Sequence, residues 1–341
     1  MTYSPFKFAL SVIATSALIA CGGGGGGSTA PVSAAPVVIA PVAGTPAAAD
    51  LVAAVAASTY SPALQAEELS AFNTLNAERS RCGFGLLAHS PALDATAKGH
   101  ADWQLINNFR GHFQSVGTPG FTGASPADRA TAAGYAWTGL ADENTSLIGA
   151  NVKAGYGASS VRTLLQAPYH AAGLLSGFRD VGFSIRNDVE VSSTFGARVV
   201  AQVNLGHTSV GPQSLGTGDV ATYPCAGTTG VDRQLLNESP NPVPGRNLAV
   251  NPLGSSILIL VREGQTLVIT SASMTSVATG LPVTLRAPVT SVNDPNTKVG
   301  THQAFISADA PLQANSAYDV IVTGTNNGVA FSRSLRFTTG L

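Results

Sequence analysis

Two histidines and a glutamate stand out as side chains able to do chemistry. They are His112 in Phe109-Arg110-Gly111-His112, Glu143 in Asp142-Glu143-Asn144 and His170 in Ala167-Pro168-Tyr169-His170. Each can present a lone pair near neutral pH, so together they can hold a borderline divalent metal such as zinc or move a proton. Successive members are about thirty residues apart, and no helical or strand period brings them together. Taken singly, each reads as a polar residue satisfied at a turn. The fold must therefore do the positioning. No Gly-x-Ser-x-Gly or His-Glu-x-x-His sequence supplies a ready-made catalytic motif.

The elements around these residues alternate between helix and strand. Leu64, Leu69, Phe72 and Leu75 begin one helical stripe. Ser90-Pro91 is a strong second start, because the hydroxyl can cap free amides and proline suits the first helical position. Leu93, Ala97, Ala101 and Leu105 then mark its buried edge. Ser125-Pro126-Ala127-Asp128 has the spacing of a capping box, and Gly134 closes that helix. Ser160 to Gln166 forms a short fourth helix. Strands are expected at Tyr135 to Thr138, Val181 to Arg186 and Phe195 to Leu205. The fold class is α+β. Phe72, Phe84, Trp103, Phe109, Phe113, Tyr135, Trp137, Phe178 and Phe183 are expected in the core.

Residues 66 to 206 carry an ordered series of short matches. These are Leu75-Asn76-Ala77-Glu78-Arg79, then Leu93, Ala97, His100-Ala101, Asn108-Phe109 and His112. They continue with Asp128-Arg129, Ala133-Gly134-Tyr135, Glu143-Asn144, Pro168-x-His170, Asp180-Val181-Gly182-Phe183 and Gln202-Val203-x-Leu205-Gly206. The series resembles bacterial members of the CAP superfamily (cysteine-rich secretory, antigen 5 and pathogenesis-related proteins, also called SCP domains). The resemblance implies a three-layer α-β-α sandwich whose central cleft is lined by His112, Glu143 and His170. It also places His100 beside that cleft and makes a divalent metal such as zinc the cofactor to test for. Eukaryotic members often carry another glutamate where this chain has Ala167 and a tryptophan where it has Leu164, so the set is incomplete here. His89, His207 and His302 have no such context and are expected at the surface.

At the N-terminus Lys7 precedes an apolar run from Phe8 to Ala20. The run is too short to span hydrocarbon and reads as a signal peptide, residues 1–20. It ends in Leu18-Ile19-Ala20-Cys21, which resembles a bacterial lipobox, with Cys21 as the lipidation site. Gly22 after the cysteine points to the outer membrane of a Gram-negative cell. Residues 21–64, rich in Gly, Pro and Ala, form a tether. Cys82 and Cys225 then remain, and an even pair in an exported chain favours a disulfide.

Beyond Cys225 the pattern is strands alone: Ser256 to Val261, Thr266 to Ser271, Val283 to Ala287, Gln303 to Ser307, Tyr318 to Val322 and Ser334 to Thr338. Asn326-Asn327-Gly328 is a hairpin tip. Pro311-Leu312 through Tyr318-Asp319-Val320, with Phe337-Thr338-Thr339-Gly340, resembles the end of bacterial Ig-like surface domains. The expected division is a CAP domain over residues 65–228 and an Ig-like β-sandwich over 229–341.

The 341 residues carry 18 Lys and Arg against 19 Asp and Glu, a formal charge of −1. No basic patch for nucleic acid follows. Two functions remain. One is a lipid-anchored, extracytoplasmic binding module whose partners are the membrane, through the anchor, and envelope components or another protein. The other is an envelope hydrolase with Glu143 as general base and His112 and His170 orienting water. The missing nucleophile motifs and the incomplete cleft set favour binding.

Overall fold

The computed structural model describes residues 59–341. The signal sequence, Cys21 and the tether as far as residue 58 lie outside the described residues. Tyr60, which composition assigns to the tether, is a core residue: its hydroxyl donates to Asp94, whose Oδ1 also accepts from the Phe183 amide at 2.9 Å.

The first part of the chain runs α1 (Ala66–Arg81), β1 (Ala88–His89), α2 (Pro91–Ile106), α3 (Pro126–Ala132), β2 (Gly139–Ile148), α4 (Tyr156–Gln166), α5 (Pro168–Leu175), β3 (Asp180–Asn187), α6 (Asp188–Val191) and β4 (Arg198–His207). Ser90 caps α2 through the Leu93 amide, and Ser125 with Asp128 forms a reciprocal capping box on α3. Leu64 lies ahead of α1 and is 85% exposed, so the buried stripe begins further along, with Ala71, Phe72 and Leu75.

The strands form a mixed sheet in the order β1-β3-β4-β2. Side chains alternate across it. Val181 and Phe183 of β3 and Val203 and Leu205 of β4 join one core with Phe72, Leu75, Val161, Leu164 and Leu174 of α1, α4 and α5. On the opposite face Val200 packs on Ala101 and Leu105 of α2, and a Cβ at Gly182 would strike the backbone of Leu93. Helices thus cover both faces, and the fold is mixed α and β.

Two features differ from expectation here. Tyr135 to Thr138 is not a strand; the strand starts at Gly139 and runs through Asp142-Glu143-Asn144. Those acids and amides are poor strand formers, and the β4 partner, paired from Gly139↔His207 to Ile148↔Arg198, overrides their preference. The helix α5 follows α4 after a single intervening residue, Ala167, because Pro168 cannot continue the preceding helix yet opens a new one well.

The second part contributes β5 (Ala221–Tyr223), β6 (Gln234–Leu235), β7 (Leu253–Gly254), β8 (Ser256–Leu260), β9 (Leu267–Ser276), β10 (Val289–Thr290), β11 (Gln303–Ser307), β12 (Ala317–Asn326) and β13 (Val329–Thr338). A sheet β10-β11-β8-β5 faces a sheet β13-β12-β9. Ile257, Ile259, Ala304 and Ile306 from the first meet Met274, Val320, Val322 and Phe337 from the second in one core. The stretch Val283 to Ala287 contributes only an isolated bridge at Leu285, and the edge strand is β10 instead. Asn327 and Gly328, both with positive φ, turn β12 into β13, as a two-residue hairpin requires.

Every residue of β8 is buried. Ile257 and Ile259 look into the sandwich, while Leu258, Leu260 and Phe305 join the core of Phe72 and Leu75. The strand β5, upstream of residue 229, pairs with β8. Cys82 and Cys225 form a disulfide with their Cα atoms 5.4 Å apart, tying the end of α1 to the segment after β5. Phe72, Phe84, Trp103, Tyr135 and Phe183 are buried, whereas Phe109, Phe113 and Trp137 stay exposed.

Candidate functional site

The edge strand β2 carries the site. Adjacent strand residues point to opposite faces, so Asp142 and Glu143 leave the sheet on different sides. Asp142 turns toward α3, where its Oδ1 accepts from His112 Nδ1 at 2.8 Å and its Oδ2 from the buried Arg129 guanidinium at 3.0 Å. Gln202 of β4 adds a third hydrogen bond at 3.2 Å. Glu143 turns toward α5, where its Oε2 meets His170 Nδ1 at 2.7 Å. A Cβ at Gly173, on the same helix, would run into Glu143 Oε1, so glycine leaves room for that carboxylate. Each histidine is therefore backed by its own carboxylate. Engagement by a carboxylate keeps a proton on Nδ1 and leaves Nε2 as the outward-facing nitrogen.

Both histidines line one cleft of about 960 Å³, with Arg110, Asn144 and Thr145 beside them. Ala167, Asp232, Arg233, Glu238 and Lys298 also line it. The pair at Asp142 raises the pKa of His112 through its hydrogen bond, against the opposing effect of burial. At His170 burial pushes downward, but the hydrogen bond and charge of Glu143 outweigh it and the pKa is raised. Both imidazoles thus hold a proton more readily than a free one.

His100 is not a wall of this cleft. It is fully buried on α2, with Nε2 at 2.8 Å from Gly111 O and Gln114 Nε2 donating to Nδ1 at 3.1 Å. Burial and the Arg129 charge push its pKa down to about 4. It stays neutral at physiological pH and holds the Gly111-His112 backbone in place. The other histidines are also engaged. His89 pairs with Asp94 at 2.6 Å and packs on Tyr60, His207 stacks near Phe178, and His302 borders a small separate cavity. All three are half-buried, and His89 and His207 have side-chain partners.

Among the described residues no group of three or more His, Cys, Asp or Glu side chains is arranged to hold a metal ion. The carboxylates that would complete a set with His112 and His170 are turned to the Nδ1 atoms. The donors present therefore do not fit a three-ligand zinc site built from His112, Glu143 and His170, and no chemistry is routed through a metal here.

Sequence reasoning passed over Asp142, Arg129 and Gln202 as site residues. All three fall inside quoted motifs, and the run Asp142-Glu143-Asn144 was the usable signal. Glu238 could not have been found, because nothing in its neighbourhood marks it. Its Oε1 accepts from the Tyr169 amide at 2.7 Å, so it caps α5, whose own N-cap residue Ala167 has no side-chain acceptor. Burial pushes its pKa up to about 8.

No family model matches the chain, and no curated protein matches it. Among solved structures, an extracellular protein containing a SCP domain from Bacillus anthracis str. Ames is similar at 18% identity and a TM-score of 0.33, the match covering 45% of each chain. An outer surface protein from Borrelia burgdorferi is similar at 16% identity and a TM-score of 0.34, over 42% of this chain and 95% of the other. The chain thus spans less than half of the first of these. Among the described residues no helix is long and apolar enough to cross a membrane.

Proposed function

We propose that the chain is a CAP-superfamily binding module, lipid-anchored at Cys21 and held outside the cytoplasm, with a CAP domain over residues 65–228 and an Ig-like sandwich over 229–341 to which Ala221–Tyr223 is lent. The ordered motifs between residues 66 and 206 support the family reading. So does a sheet whose two faces carry α1, α4 and α5 on one side and α2 and α3 on the other. The observation that carries the functional reading is the pair of carboxylate-backed histidines, His112–Asp142 and His170–Glu143, on one large cleft. Such pairs present fixed, ring-oriented nitrogens to a ligand. Glu143 spends its carboxylate on His170, and this favours binding over its use as a free general base.

The test is ring-resonance NMR of the full chain with a panel of small carboxylates, phosphates and amines. At least one class should shift the His112 and His170 ring signals together and leave His302, outside the cleft, unmoved. If no class moves them, or if His302 moves equally, the cleft is not a binding site. The anchor has its own test. Cys21→Ser should transfer the protein from the membrane pellet to the soluble fraction, and an unchanged pellet would refute lipidation.

A further inference from the structure

The charges around the cleft do not cancel. Asp142 is compensated by Arg129 and His112, and Glu143 by His170. Burial raises the pKa of Asp232, and the charge of Arg162 opposes that shift. Glu238 is 5% exposed, and its Oε2 finds no hydrogen-bond partner. Its raised pKa means that it adds little negative charge at neutral pH. Of the two acidic side chains that line the cleft, Glu238 is largely protonated and Asp232 remains. Arg110, Arg233 and Lys298 also line it, and among the described residues none of the three has an ion-pair partner. Arg110 also lies close enough to Arg198 to repel it. Unmatched cations in a concave site focus a positive potential on whatever enters.

Three separate segments supply these cations: the loop after α2 gives Arg110, the segment ahead of β6 gives Arg233, and the loop after β10 gives Lys298. Cations from three distant parts of the chain thus outnumber the acids beside them, an arrangement that suits a ligand supplying the counter-charge.

We propose that the cleft takes its ligand through an oxyanion, a carboxylate or a phosphate, held by Arg110, Arg233 and Lys298. The inference rests on the cleft being the binding site and adds the chemical class of the ligand. Guanidinium groups suit it, since their planar donors match the two oxygens of such a group. The carboxyl of Glu238 serves as a positioning group: Oε1 holds the N-terminus of α5, and with it His170, while its proton keeps a competing anion out of the site.

Calorimetry of the full chain with inorganic phosphate, succinate and methylammonium tests this. Phosphate or succinate should bind, methylammonium should not, and the stronger of the two anions distinguishes a phosphate-bearing from a carboxylate-bearing ligand. Arg233→Ala with Lys298→Ala should weaken that binding at least tenfold. Both residues lie at the surface side of the cleft, so the fold should survive. Glu238→Gln, which keeps an acceptor for Tyr169 and carries no charge, should bind within threefold of the wild type, and Glu238→Ala should lose tenfold. Preference for methylammonium, binding unaffected by the double variant, or a tenfold loss in Glu238→Gln would each overturn the proposal. If amines alone shift the His112 and His170 ring signals, the cleft remains a binding site and only the oxyanion assignment falls.

Discussion

Replacing Cys82 and Cys225 together by alanine is expected to lower the unfolding free energy by about 5 kcal/mol, measured by urea denaturation under non-reducing conditions. The crosslink closes a loop with a sequence separation of 143 residues. In the chain-entropy model the stabilisation grows with the logarithm of loop length, and a loop this long lies near the top of the range. The native side also contributes. Cys82 is at the C-terminal end of α1 and Cys225 follows β5, so the bond fastens the helix layer to the sheet that carries β8. Both sulfurs are buried beside the Thr228 hydroxyl. A loss below about 2 kcal/mol, the low end for native disulfides, would show that the unfolded chain is already restrained without the bond.

Asp142→Ala should cost about 3–5 kcal/mol, because it strands one member of a buried ion pair. The Arg129 side chain is 1% exposed and that of Asp142 4%. Without the carboxylate, the guanidinium keeps only the carbonyls of His112 and Gly123, at 3.1 and 3.4 Å, which cannot neutralise it. Gln202 loses an acceptor as well. The effect should depend on pH. The folded pKa of His112 is raised, so the stabilisation from its pairing with Asp142 is complete below the unfolded value of about 6.5 and is lost as pH rises through the folded value. The gap between wild type and variant should therefore narrow from pH 6 to pH 9, leaving the Arg129 contribution. Urea titrations at the two pH values measure it. A gap that widens with pH would mean that His112 is not the group coupled to Asp142.

Much of this was legible in the sequence where local chemistry decides the outcome. Ser90-Pro91 and Ser125-x-x-Asp128 set helix starts by hydrogen bonds within a few residues, and both caps form as read. Asn327-Gly328 needs positive φ at two successive positions and takes it. The strand β2 was not legible, since its run of Asp, Glu, Asn and Thr obeys the partner strand and the site before its own propensity. The helix α5 was hidden by its brevity. Tyr60 and Glu238 were invisible for another reason: their partners, Asp94 and Tyr169, are 34 and 69 residues away. His112, Glu143 and His170 do reach one region, yet they arrive as two pairs instead of one trio. The strand pleat sends neighbouring side chains apart, so that Asp142 pairs with His112 and Glu143 with His170.

The strand β8 has a further consequence for how such a chain can change over generations. A residue on an ordinary sandwich strand answers to one interior, and its other face is free to drift with the solvent. Here alternate positions are claimed by two interiors: Ile257 and Ile259 by one, Leu258 and Leu260 by the other. Recombination that exchanged the C-terminal part for an unrelated sandwich would deliver a strand selected for one tenant only, and the helices of the first part would face polar side chains. The two parts can therefore be inherited only as a pair, and the cleft that draws Arg110 from one and Arg233 from the other travels with them.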